Sequence, residues 1–150
     1  MKTKVIIIIV LVICCSCSKK TIIESDELQE AISQVWLDAE LAQKALDKIN
    51  ASTLSEYELQ RYRLTEAHLM LKRELRQPAE INLDAMAKYF VSCGDEAAAS
   101  EAYYIQGAYL NYIGENTQAM QYLKKAESYS ASSIIRGMIS YKMGRISESA

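Results

Sequence analysis

Residues 102–126, AYYIQGAYLNYIGENTQAMQYLKKA, restrict the fold more than any other part of this sequence. Apolar residues recur at helical spacing on both sides of Gly114. The small residues Gly107, Ala119 and Ala126 stand where two antiparallel helices would touch. Gly114 is suited to end the first of these helices, because glycine accepts the left-handed conformation that often follows a helix. The stretch therefore predicts a helix–turn–helix hairpin, in which Asn116 or Thr117 caps the second helix.

The composition extends this interpretation to the rest of the chain. The 150 residues include only one Pro and five Gly, and half of them are apolar. Ala, Glu, Leu, Lys and Gln, which favour helices, dominate after the N-terminal segment. These features predict an all-α fold and one domain. The formal charge of −2 argues against a nucleic-acid partner, since such domains usually carry a basic face.

The N-terminus has the layout of a secretory signal. Two lysines precede the nine aliphatic residues 5–13 (VIIIIVLVI), and the sequence CCSC follows at positions 14–17. A membrane-spanning helix needs roughly 20 apolar residues, so this run is too short to be one. A charged start, a short apolar core and small residues at its end are typical of a cleaved signal peptide.

The cysteines make this segment resemble the leader of a bacterial lipoprotein, in which a small residue precedes the cysteine that becomes lipidated. Cys17 follows Ser16 and is the predicted attachment site, with Cys15 as the alternative. The resemblance implies a signal peptide at residues 1–16, a tether at residues 17–24 and a lipid anchor. Ser18 resembles the residue found in lipoproteins sent to the outer membrane. An ordinary cleaved signal with incidental cysteines is the other interpretation.

The first part of the predicted domain begins at Ser25, which is suited to cap a helix. Apolar residues then recur every three or four positions to residue 49. This pattern permits one long helix or two shorter ones, and we favour two, with a break near residues 37 and 38. A loop is expected at residues 50–54. Ser55 and Glu58 match the capping box and predict a helix that runs to about Arg76.

The only proline separates this helix from the next one. Pro78 is tolerated only in the first turn of the next helix, so we expect a partner helix over residues 79–93. Gly94 is suited to end that helix and Asp95 to cap the one after it.

Residues 102–126 resemble the tetratricopeptide repeat. That family favours an aromatic residue at the fourth position, Gly at the eighth and Ala at the twentieth and twenty-seventh. Here Tyr103, Gly107, Ala119 and Ala126 match those positions, whereas Gln106 replaces an aliphatic residue. The resemblance implies an all-α fold of antiparallel helical hairpins, stacked as a short tetratricopeptide-like α-solenoid over residues 25–150. Residues 36–126 also resemble tetratricopeptide lipoproteins of Gram-negative anaerobes.

A second pair of glycines follows the same spacing. Gly137 and Gly144 lie thirty residues after Gly107 and Gly114, although the family period is about 34. This predicts the first helix of another unit, with the start of a second helix at Ile146. We therefore expect the repeat domain to be incomplete at the C-terminus.

The sequence contains no convincing catalytic, metal or cofactor site. His68 is the only histidine and lies among apolar neighbours in a predicted helix. Cys93 precedes a helix-ending glycine, and the glycines are dispersed rather than grouped in a phosphate-binding loop. We therefore expect no catalysis, no cofactor and no small-molecule substrate.

The resemblance also implies where a partner would bind, because the first helix of each tetratricopeptide pair lines a concave groove. The corresponding residues are Glu101, Tyr104, Ala108, Asn111 and Tyr112. Tyr and Asn suit a peptide groove, where aromatic rings supply contact area. The alternative is that Tyr104 and Tyr112 pack against a neighbouring repeat.

These features predict a lipid-anchored protein of the bacterial cell envelope whose helical repeats bind a protein or peptide. The alternative is the N-terminal sensor or regulatory portion of a larger tetratricopeptide signalling or transcription-regulator protein. An in-frame continuation of the gene to a membrane helix or a DNA-binding domain would favour the alternative.

Overall fold

The computed structural model describes residues 23, 25–73, 81–129 and 132–148, and this part of the chain is all-α. The predicted signal peptide at residues 1–16 and nearly all of the predicted tether lie outside the described residues. The described residues form seven α-helices, with a short 3₁₀ turn at Ala51–Thr53: α1 (Asp26–Gln34), α2 (Ala39–Leu46), α3 (Glu56–Lys72), α4 (Leu83–Cys93), α5 (Glu96–Tyr112), α6 (Asn116–Glu127) and α7 (Ser133–Glu148).

The predicted break near residues 37 and 38 is confirmed. The Ser25 hydroxyl accepts a hydrogen bond from the Leu28 backbone N–H and caps α1. The Asp38 carboxylate accepts from the backbone N–H groups of Glu40 and Leu41 and caps α2. Each cap satisfies N–H groups that a helix leaves unpaired at its start.

The capping box at the start of α3 is also confirmed. The Ser55 hydroxyl accepts from the Glu58 N–H, and the Glu58 carboxylate accepts from the Ser55 N–H. Glu58 Oε1 also accepts from the Ser25 backbone N–H at 3.1 Å, which joins the start of α1 to the start of α3. α3 ends at Lys72, before the predicted end at Arg76.

The predicted start of α4 at residue 79 is wrong, because residues 81 and 82 are not helical. The Asn82 side chain accepts from the Ala85 N–H, so this residue is the N-cap. The end of α4 follows the prediction. Gly94 has a positive φ of 78°, and Asp95 caps α5 by accepting from the Ala98 N–H.

α5 is the central helix, in contact with α3, α4, α6 and α7. Its closest packing is against α6, at Gly107. A Cβ atom at Gly107 would lie 2.9 Å from Leu123 Cγ and 3.1 Å from the Ala119 carbonyl oxygen. Both distances are shorter than ordinary van der Waals contact, so α6 approaches α5 this closely only because residue 107 has no side chain.

The turn between α5 and α6 depends on Gly114, whose φ of 86° lies in the left-handed region. The predicted caps of α6 are wrong. Glu115 is the N-cap and makes no side-chain capping bond, while Asn116 is the first helical residue. The Asn116 side chain instead accepts a hydrogen bond from the Asn111 amide at 2.9 Å, across the turn.

α7 is continuous where a break was predicted. Gly144 lies inside the helix, and Ile146 belongs to the same helix rather than to the next one. Arg145, which precedes the predicted helix start at Ile146, is not one of the residue types that usually cap a helix. α7 buries Ile135, Ile139 and Ile146 against the core.

The helices form an array in which each contacts its near neighbours in the sequence. α1 packs on α2 and α3, α3 on α5, and α5 on α7. α1 and α2 therefore lie at one end of the array and α7 at the other. α4 packs mainly on α5 and touches α3 only lightly.

Candidate functional site: the α5 surface and its neighbours

The structure places the five predicted groove residues in different environments. Glu101 and Tyr104 are only 4% and 2% exposed, and Ala108 is fully buried. Asn111 is half-buried, and Tyr112 is exposed at the end of α5. Only Asn111 and Tyr112 are therefore accessible to a partner in this arrangement of the helices. Binding by these residues stays a prediction.

Tyr104 is buried by two aromatic side chains from earlier in the chain. Its ring centroid lies 5.9 Å from that of Trp36, in the turn between α1 and α2, and 6.4 Å from that of His68 on α3. Burial raises the pKa of Tyr104 to about 12, because the phenolate would be charged in an apolar surrounding. Tyr104 thus packs inside the helical array, as in the alternative interpretation of the sequence, rather than facing a groove.

Glu101 takes part in a buried polar cluster. Its Oε1 lies 2.8 Å from His68 Nδ1, and its Oε2 lies 3.5 Å from Arg61 Nη1. All three residues are buried, and the Arg61 guanidinium also lies 5.7 Å from the centroid of the Phe90 ring. The cluster connects α3 to α5 and pairs the buried carboxylate with a cation and with an imidazole nitrogen.

Two groups of exposed side chains include residues that were not predicted as site residues, namely Ile113 in the first and all three members of the second. Tyr112 is followed by Ile113, which is also exposed, so two large apolar side chains lie together at the end of α5. On α7, Ile134, Met138 and Tyr141 are exposed as well. Their spacing of four and then three residues places them on one side of the helix. This spacing is visible in the sequence, but it does not reveal which side of α7 the other helices cover.

A cavity of about 490 Å³ lies between α3 and α4, and residues that line it include Arg63, Glu66, Met70, Asn82, Met86 and Tyr89. Burial raises the pKa of Glu66 above its usual value, because desolvation penalises the charged carboxylate. The volume falls in the range of small-molecule sites. The lining mixes both charges with apolar side chains and does not identify a ligand.

Cys93 is half-buried at the end of α4. The pKa of the neighbouring Tyr89 is raised to about 12, first by burial and then by a hydrogen bond with the Cys93 thiol. Within the described ranges, no three His, Cys, Asp or Glu side chains are grouped so that they would hold a metal ion. None of the helices described is both long and apolar enough to cross a membrane.

Comparison with known proteins found no matching family model, no matching curated protein and no matching solved structure.

Proposed function

We propose that this chain is a lipid-anchored protein of the bacterial cell envelope whose tetratricopeptide-like helical repeats bind another protein. The proposal joins two independent parts, an anchor and a binding surface. The leader sequence supports the anchor, and the packing and exposed side chains of the helical array support the binding surface.

The packing of the array is compatible with a tetratricopeptide-like solenoid. Gly107 admits the close approach of Leu123 on the next helix, and Gly114 makes the turn between them. The first helix of each predicted pair also contacts the first helix of the next pair: α1 contacts α3, α3 contacts α5, and α5 contacts α7. A stack of this kind uses its glycines and alanines for packing and leaves larger side chains for recognition.

The exposure of Tyr112 and Ile113 is the observation that carries the binding role. α5 is the most buried helix of the array, yet both residues at its end remain exposed. Tyrosine is enriched at protein interfaces, because its ring supplies area and its hydroxyl supplies a hydrogen bond. Asn111 adds a polar group next to this pair, although its amide already donates to Asn116.

Site-specific photo-crosslinking in intact cells tests the binding role. A photoreactive residue at Tyr112 is expected to capture one specific protein. The same residue at Gln121, which is exposed on α6, is the control and is expected not to capture that protein. Equal capture at both positions, or no specific capture at Tyr112, would contradict the proposed surface.

The anchor is tested separately with labelled palmitate. The chain is expected to incorporate the label, and Cys17→Ala is expected to abolish incorporation. Persistence of the label in Cys17→Ala but not in Cys15→Ala would move the attachment to Cys15. An unlabelled chain would support an ordinary cleaved signal instead.

A further inference from the structure

The α3–α4 pair packs differently from the helix pairs before and after it. α1 packs closely on α2 and α5 packs closely on α6, whereas α4 touches α3 only lightly. The space that remains between α3 and α4 is the cavity of about 490 Å³. Sites for small ligands occupy about 300–1,000 Å³, so the cavity has room for one. We call it the α3–α4 cavity.

The lining residues of α3 account for the distance between the two helices. Gln60, Arg63, Glu66 and Met70 line the cavity, and their spacing of three or four residues places them in one stripe along α3. All four side chains are long, and three of them are polar. By contrast, α5 presents Gly107 to α6, which can therefore approach closely. Long side chains on α3 thus leave a space that small residues close in the next pair.

The two ends of the α3–α4 cavity differ in polarity. Tyr57 at the start of α3 donates a hydrogen bond to Asp95, which follows the end of α4, over a distance of 2.6 Å. The two helices are therefore antiparallel. Tyr89 of α4 then lies beside the first turns of α3, and Ile81 lies at the end of the cavity that Met70 lines. One end is thus more polar and the other is apolar.

Two opposite charges lie in the middle of the stripe. Arg63 and Glu66 are three residues apart, and Cβ atoms at this spacing are about 5–6 Å apart. Neither residue takes part in a salt bridge between described residues. Burial raises the pKa of the Glu66 carboxyl, although Tyr62 and Arg63 act in the opposite direction. The negative charge of Glu66 is therefore incompletely compensated, and the neighbouring Arg63 is exposed to an incoming group.

The composition of the lining does not identify a ligand, but the positions of these two charges define a class. A guanidinium binds a carboxylate through two parallel hydrogen bonds, and a carboxylate that lacks compensating charge favours an ammonium group. In an α-amino acid both charged groups are bonded to one carbon atom, so a single small molecule reaches two side chains one turn apart. A ligand with one charge would leave either Arg63 or Glu66 unpaired.

We propose that the α3–α4 cavity binds a free α-amino acid with an apolar side chain. Its carboxylate pairs with Arg63, its ammonium group pairs with Glu66, and its side chain lies among Met70, Ile81 and Met86. The sequence contains no motif for such a ligand, because the two charges form a site only where α4 stands apart from α3. The proposal concerns binding alone, and it depends on neither the lipid anchor nor the surface at Tyr112.

A saturation-transfer difference NMR titration of the full chain in a neutral detergent tests the proposal, with L-leucine as the ligand. Because the two charge pairs are open to solvent, we expect saturable binding with a dissociation constant of roughly 0.1–1 mM. Leucinamide lacks the carboxylate, and isocaproate lacks the ammonium group. Each analogue is expected to bind at least about fivefold more weakly than leucine.

Two variants separate the charges. Glu66→Gln is expected to weaken leucine binding at least about fivefold and to remove the preference for leucine over isocaproate. Arg63→Gln is expected to weaken it similarly and to remove the preference for leucine over leucinamide instead. These opposite losses of preference would not result from a general disturbance of the fold, which circular dichroism checks. Glu127→Gln and Arg136→Gln remove the same charges at exposed positions outside the cavity, so both should bind leucine like the unaltered chain.

A titration without saturable leucine binding up to about 10 mM would overturn the proposal. So would equal affinities for leucine and both analogues, or unchanged leucine binding in Arg63→Gln and Glu66→Gln. None of these results bears on palmitate incorporation or on crosslinking at Tyr112, so failure of this site is distinguishable from failure of the proposed function.

Discussion

The indole of Trp36 meets the imidazole of His68 edge to face, with the ring centroids 4.1 Å apart. Trp36 packs against both buried clusters of the molecule, one around α1 and α2 and the other around α5. Lys72 holds the turn that carries Trp36 by donating hydrogen bonds to the carbonyl oxygens of Val35 and Trp36. This contact therefore joins the first helix pair to the rest of the array.

Replacement of the indole should uncouple the two clusters. We expect Trp36→Ala to lower the free energy of unfolding by about 3 kcal/mol, because it removes a large side chain from between packed elements. Urea denaturation followed by circular dichroism measures this. Leu37→Ala is the control, since the next residue is mostly exposed, and it should change stability by less than about 0.5 kcal/mol. Equal effects of the two changes would contradict the role given to Trp36.

Two glycines in helices should respond in opposite ways to the same substitution. We expect Gly107→Ala to destabilise the protein by about 1–3 kcal/mol, because its Cβ would crowd Leu123 and the Ala119 carbonyl. We expect Gly137→Ala to stabilise it by about 0.5–1 kcal/mol, since there is open space and alanine favours helix. Thermal unfolding of both variants measures the difference. A stabilising Gly107→Ala would show that α6 does not approach α5 as closely as described.

Loss of the buried carboxylate of Glu101 should be costly. We expect Glu101→Ala to destabilise the protein by about 3 kcal/mol, because it leaves the buried Arg61 without this carboxylate. Arg61 Nε is already buried without a hydrogen-bond partner among the described residues. Asp84→Ala is the control. Its carboxylate pairs with Lys88 and Lys125, both largely exposed, so a much smaller change is expected in urea denaturation. Comparable losses would argue against a buried cluster.

Tyr104 should make stability fall at alkaline pH. Its pKa is about 12 in the folded protein and about 10 when exposed, so the folded state holds the proton more tightly. The stability that protonated Tyr104 contributes is complete below pH 10, declines as the pH rises and is lost near pH 12. A shift of this size corresponds to roughly 3 kcal/mol of stability. Urea denaturation from pH 8 to 11.5 measures the decline. Tyr104→Phe should reduce the decline without removing it, because the pKa of Tyr89 is also raised to about 12. An unchanged slope would exclude Tyr104 as a source.

Local signals in the sequence were sufficient to predict most helix ends. Ser55 with Glu58, Asp95 and Gly94 act through bonds and backbone angles within a few residues, so their roles are visible without the fold. The failures have local causes as well. α4 was expected to begin at residue 79, but it begins at Leu83, after the cap formed by Asn82. Gly144 does not end α7, because glycine permits a turn without requiring one.

The candidate groove could be predicted only in part. Helical spacing places Glu101, Tyr104, Asn111 and Tyr112 on neighbouring faces of α5, but it does not show which face another helix covers. Trp36 and His68 lie 68 and 36 residues before Tyr104 in the sequence. No local pattern in the sequence indicates that their rings pack against the ring of Tyr104. Burial of Glu101 likewise depends on Arg61 and His68, which reach it from α3.

The sequence by itself determined that the described chain is helical, where most helices begin and end, and that Gly107 and Gly114 serve packing and turning. Periodicity, capping and glycine geometry act over a few residues, and a sequence displays them directly. Only the tertiary structure decided that Tyr104 is buried, that Tyr112 is exposed and that α7 keeps an uncovered apolar side. Burial of a helix face is determined by contacts between residues that are distant in the chain.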